Sequence, residues 1–200
     1  SLGRGSGECR MKKRILAFIL MSNHVHFILI GTKKEVERFI HELKRRYSIY
    51  YADKYGAGKF LRRNGVDIQE IPFEDEALER AIAYVLMNCV AANICSHPSL
   101  YPWGCGNVYF TARQPQGVRI DSISKRNRFH LLHSKSDLPG NWLIGDEGFV
   151  LPASYVRIKE VERLYRTPQR LDYFLRTSSK AKYRLSVNES SQPSFKDQLV

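Results

Sequence analysis

His24 and His26 stand on either side of one hydrophobic residue, Val25, at the start of the segment HVHFILI. If the segment is a strand, alternate side chains share a face, so the two imidazoles lie side by side while Val25 and Phe27 point into a core. Paired neutral imidazoles are good ligands for a divalent metal ion, and such an ion can polarise a phosphoryl group or activate a water. The same triplet also suits two histidines that merely hydrogen-bond to their neighbours, so its surroundings have to decide.

Those surroundings read as a hairpin followed by helices. Ile15 to Met21 and His24 to Ile30 are short runs of β-branched and aromatic residues separated by the turn-prone pair Ser22-Asn23, which predicts two antiparallel strands. From Lys33 to Tyr51, Val36, Phe39, Ile40, Leu43, Tyr47, Tyr50 and Tyr51 recur at helical spacing, with Thr32 and Glu35 placed as a capping box. The polar face of that helix carries Lys34, Arg38, Lys44 and Arg45. Gly56 to Pro72 reads as a basic loop holding Lys59, Arg62 and Arg63. A second helix is expected from Glu74 to about Ala92, buried along Leu78, Ile82, Val85, Leu86 and Cys89, with Tyr84 and Asn88 off that stripe. A short strand is expected at Val108 to Thr111, and two short helical patterns near Ser154 to Tyr165 and Pro168 to Ser178.

Charge narrows the choice of partner. The 32 Lys and Arg outnumber the 20 Asp and Glu, for a net charge of +12, and the basic isoelectric point this implies favours a phosphate-rich partner such as nucleic acid. Hydrophobic content of 43% with 26% charged residues belongs to a folding, globular chain rather than a disordered one. Cys9, Cys89, Cys95 and Cys105 show neither a CxxC pair nor zinc-finger spacing, which suggests reduced thiols. The longest apolar run, Ile15 to Met21, is too short to span a bilayer, so a cytoplasmic location and no membrane partner are expected. The chain opens on Ser1 and a Gly/Ser-rich stretch, which reads as a linker or a cut end.

Three ordered segments carry a family resemblance. MSNHVHFIL, residues 21–29, resembles the MPNHVHLLL segment of the HUH single-tyrosine transposases, in particular their REP-associated branch, departing mainly at Ser22. AYVLMNCVAANI, residues 83–94, resembles the family's YIxxNPVxAGI pattern, with Cys89 in place of the usual proline. LYPWGCGNVY, residues 100–109, resembles the YPWSSY segment that follows the catalytic helix, and LPGNWLIGDEGFVLPASYV, residues 138–156, is similar to a C-terminal segment of many relatives.

The resemblance implies that Tyr84 is the nucleophile and that His24, His26 and Asn88 bind the metal, Mg²⁺ or Mn²⁺. It implies an α+β, ferredoxin-like antiparallel sheet with helices on one face, short of the family's first strand and helix, and a small helical C-terminal region. The expected division is a catalytic domain at 1–112, a basic linker at 113–137, a helical C-terminal region at 138–185 and a disordered tail at 186–200. The implied activity is DNA strand cleavage and transfer through a 5′-phosphotyrosine, on single-stranded DNA near a hairpin, with a homodimer left open. Lys44, Arg45, Arg62 and Arg63 are the expected DNA-binding cations. Two other classes fit the same residues: a non-catalytic nucleic-acid binder descended from a transposase, and a metal-dependent hydrolase in which the histidine pair activates a water.

Overall fold

The structure, a computed structural model, describes residues 14–56, 65–74, 76–113, 116–132 and 138–179. It is a mixed α+β arrangement. Strand β1 (Ile15–Leu20) pairs antiparallel with β2 (Val25–Leu29), and a second two-stranded sheet forms from β3 (Val118–Arg119) and β4 (Leu143–Ile144). Helices are α1 (Lys33–Tyr55), α2 (Ala77–Leu86), α3 (Asn88–Ala91), α4 (Lys125–Leu132), α5 (Ile158–Tyr165) and α6 (Pro168–Thr177).

β1 is the centre of the molecule. Leu16, Ala17, Phe18 and Ile19 are all buried, the continuous apolar run of a strand covered on both faces. The turn at Ser22-Asn23 closes with a hydrogen bond from Met21 N to the His24 carbonyl, 2.8 Å, and the register then sets Phe18 opposite Phe27 and Ile19 opposite His26. On its other edge, β1 is met by extended backbone from far along the chain. Leu20 N donates to the Trp103 carbonyl at 2.8 Å and Cys105 N to the Phe18 carbonyl at 3.3 Å, while Arg157 N donates to the Ile15 carbonyl at 2.9 Å. These bonds occupy backbone groups that a buried strand cannot leave unpaired.

The two faces of the hairpin take different helices, where the sequence reading placed helices on one face. Phe27 meets Phe39 of α1 with ring centroids 5.5 Å apart, whereas His26, its neighbour on the opposite face, meets Tyr84 of α2. α2 inserts Ile82, Ala83, Val85 and Leu86 into the core, each full side-chain burial of an Ile or Leu contributing roughly 1.5–3 kcal/mol. α5 and α6 close over α2: the buried Tyr165 hydroxyl donates to the Glu79 carbonyl at 2.6 Å, and Arg170 reaches the Glu76 and Glu79 carboxylates at 3.1 and 3.4 Å.

Several expectations change. The stretch 113–137, read as a linker, contributes β3, a 3₁₀ turn at Ile120–Ser122 and α4, and β3 is held by pairing with β4 of the region beyond it. Val161, Tyr165, Leu171, Phe174 and Leu175, from the expected C-terminal region, lie in the same core as β1 and α2. Val108 to Thr111 is a turn rather than a strand, because the Tyr109 side chain is drawn inward to donate to the Leu16 carbonyl and Phe110 adopts a positive φ of 51°. The second helix breaks at Met87 into α2 and α3, and α1 runs on to Tyr55. Cys89, Cys95 and Cys105 are free thiols; Cys9 and the expected tail at 186–200 lie outside the described residues. Among the described residues, no helix is long and apolar enough to cross a membrane.

Candidate active site

His24 and His26 do share a face, with ring centroids 4.9 Å apart and planes at 79°. Val25 does not enter the core: it is 40% exposed, paired with the equally open Leu20 at the end of the hairpin. This exposure serves the site, since it leaves His24 in solvent and His26 half-buried where a ligand can reach both. His24 Nδ1 lies 2.5 Å from the Asn23 side-chain oxygen. An amide oxygen only accepts, so the nitrogen carries the proton, and Nε2 is left with the lone pair that a metal ion takes.

Tyr84 completes the cluster. Its ring stands edge-on to His26 at 6.1 Å and is 38% exposed, placed there by the face of α2 opposite Ile82 and Val85. Three other tyrosines are closed off: burial pushes the hydroxyls of Tyr109, Tyr155 and Tyr165 well above the usual range.

Asn88 follows a different course from the sequence reading, which left it off the buried stripe. It is 5% exposed, because chain covers the helix on all sides from Leu86 to Val90. Its amide nitrogen donates to the carbonyls of Tyr84, 2.9 Å, and Val85, 3.1 Å, so the amide oxygen faces the other way. Asn88 is therefore anchored through its nitrogen to the same turn of helix that carries Tyr84. Among the described residues no three His, Cys, Asp or Glu side chains gather as a metal site, so an ion here would rely on the two imidazoles, a neutral amide oxygen and the substrate's own phosphate oxygens.

The basic residues are less uniform than their sequence suggests. Lys44 is half-buried on α1, whereas Arg45 is engaged by Glu42 through two hydrogen bonds of 2.8 and 2.7 Å, and Arg46 shares the same carboxylate at 2.6 Å. Those bonds hold the Glu42 carboxyl down at about 2, and Arg45 and Arg46 share it as cations. Arg62 and Arg63 lie outside the described residues.

Two of the matching segments turn out to support the site from behind. The Tyr101 hydroxyl donates to the Leu20 carbonyl at 2.6 Å and Trp103 accepts from Leu20 N, which pins β1 beside the turn that carries His24. Trp103 also packs edge-on against Phe149 at 5.2 Å, and Tyr155 against Phe18 at 5.6 Å, so the segment 138–156 braces the same hairpin.

Sequence reasoning missed a second feature beside Tyr84. A cavity of about 450 Å³ lies between α2 and α6, lined by Glu76, Arg80, Tyr84, Tyr173, Phe174 and Thr177. Arg80 was legible, being one helical turn before Tyr84; Tyr173 was not, since only the docking of α6 brings it there. Comparison of the chain with protein-family models, with curated proteins and with solved structures returned no match.

Proposed function

We propose that the chain is a transposase-like enzyme of the HUH single-tyrosine class, which cuts and rejoins single-stranded DNA near a hairpin through a 5′-phosphotyrosine on Tyr84. The contact of the half-exposed Tyr84 with His26, beside His24, carries this reading. In the same reading, the β1–β2 hairpin flanked by Trp103 to Cys105 is the core of a ferredoxin-like sheet, and the protein works in the cytoplasm.

His24 and His26, with the Asn88 oxygen, would hold Mg²⁺ or Mn²⁺, which supplies Lewis-acid polarisation of the scissile phosphate. The chain's own residues do the rest. Asn23 fixes the His24 tautomer, α2 holds the Tyr84 ring against His26, and the basic surface draws in the strand. The Tyr84 oxygen bonds to phosphorus, the bond from phosphorus to the 3′ oxygen breaks, and the phenol proton ends on the departing 3′ hydroxyl. Reversal by another 3′ hydroxyl rejoins strands with no external energy, because the phosphoester count is unchanged.

The test is incubation with a hairpin-bearing single-stranded oligonucleotide and Mn²⁺, followed by denaturing electrophoresis and mass spectrometry of the nucleotide-bearing peptide. The adduct is expected on Tyr84. Tyr84→Phe is expected to lose it while binding DNA within about two-fold of wild type, since one exposed hydroxyl is removed. Chelation of the metal is expected to abolish it too. Cleavage that survives Tyr84→Phe would assign the chemistry to an activated water, and an adduct on a different tyrosine would refute the assignment.

A further inference from the structure

We propose that the cavity between α2 and α6 is a nucleobase subsite, holding the base of a nucleotide next to the phosphate that Tyr84 attacks; this rests on the transesterase reading above. Three observations converge on it. Tyr84 belongs to both places: its ring meets His26, and the residue also lines the cavity, so a strand laid across the histidines lies beside the cavity. A volume of about 450 Å³ is within the range of small-molecule pockets, ample for a base and part of its sugar. The lining is that of a stacking site. Tyr173 is 60% exposed on α6, an aromatic plane with nothing in the core to explain it, and it is held edge-on at 5.5 Å by the buried ring of Phe174. Single-stranded nucleic acid is gripped by such planes combined with cations along the backbone.

Arg80 supplies the cation. It lies one helical turn before Tyr84 on α2, and its guanidinium is held at 2.9 Å by Glu76, an exposed pair that exchanges readily for a phosphate. Glu76 is itself anchored by Arg170 at 3.1 Å, so the carboxylate keeps a partner when Arg80 turns away. The wall opposite Arg80 is also fixed: the Thr177 hydroxyl donates to the Tyr173 carbonyl at 2.8 Å, which spends its proton and leaves only accepting lone pairs. Tyr173 is a binding residue in this scheme and takes no part in the bond changes.

The experiment is an abasic scan. A hairpin-bearing single-stranded oligonucleotide is made with one base removed at each position in turn, and its binding is measured by fluorescence anisotropy in Mn²⁺. Tyr84→Phe is the background, so nothing is consumed. One position is expected to weaken binding by about five-fold or more when its base is lost, the usual range for a stacked base. In Tyr84→Phe/Tyr173→Ala that position should matter by less than about two-fold, and Tyr173→Phe in place of Tyr173→Ala should restore the sensitivity, since the ring is what stacks. An identical scan profile with and without the Tyr173 ring overturns the subsite. The adduct formed by wild-type protein is mapped in parallel, and its phosphate is expected to adjoin the sensitive nucleotide. A Tyr173-dependent position without any wild-type adduct refutes the transesterase reading while the base subsite stands; an adduct remote from the sensitive position overturns the subsite's placement beside the attacked phosphate.

Discussion

A phenol attacks phosphorus only from a place where substrate can reach it, and that requirement separates Tyr84 from the tyrosines locked in the core. The same logic of burial governs the cysteines. Desolvation pushes the Cys89 thiol up to about 12, aided by the hydrogen bond it donates to Cys95, and pushes Cys105 up to about 11. Thiolate is the reactive form, so at pH 8 the half-buried Cys95 is expected to be alkylated well before Cys89 and Cys105. Peptide mass mapping after timed iodoacetamide treatment checks this; equal rates for Cys105 and Cys95 would contradict it. Glu35 makes a pH prediction of the opposite sign. Its carboxyl is lowered from 4.5 to about 2, first by the hydrogen bond from Arg14 and then by the Thr32 N–H at 2.9 Å. Because the folded value is depressed, the stabilisation is fully present above pH 4.5 and is lost as pH falls through about 2. Glu35→Gln should therefore lower Tm at pH 7 and leave it unchanged near pH 2, by a small amount because the pair is exposed.

Among the secondary structures, α1 is long for the packing that supports it. With 23 residues it runs about 34 Å, against about 20 Å for β1, so its second half overhangs the hairpin and the helix has no buried residue. Its start is instead secured locally, by the capping box that the sequence announces at Thr32 and Glu35. The turn at 101–106 is the reverse case, a segment without regular structure whose geometry is tightly constrained. A Cβ at Gly106 would lie 2.6 Å from the Pro98 carbonyl oxygen. Gly106→Ala is expected to cost about 1–3 kcal/mol in urea unfolding, as overpacking does, and to loosen Trp103 from Leu20. An unchanged midpoint would show that the loop yields freely.

For the molecule as a whole, the net charge of +12 is a poor guide to which cations meet DNA, because it says nothing of where they lie. Single-strand binding should lose about 0.7 of a unit in the slope of log affinity against log salt for each phosphate contact removed. Arg62→Ala and Arg63→Ala are expected to flatten the slope by about that amount each. Arg45→Ala should flatten it by a similar amount, since an exposed pair with Glu42 gives way to a phosphate. An unchanged slope in any of the three variants would show that cation to be ordinary solvated surface.

Local pattern alone was enough for the hairpin, for the shared face of His24 and His26, for the capping of α1 and for the exposed placement of Tyr84, because each depends on alternation, helical spacing or turn chemistry within a few residues. Tertiary structure decided the rest. Asn88 left the solvent because chain from elsewhere covers its turn, Arg45 is paired with Glu42, and the supposed linker gained β3 only because β4 lies beside it. The cavity beside Tyr84 has no sequence signature, since Arg80 and Tyr173 are 93 positions apart and meet only when Tyr165 and Arg170 dock α5 and α6 onto α2. Contacts of that kind arise from packing between distant segments, which no periodicity in a single stretch of chain encodes.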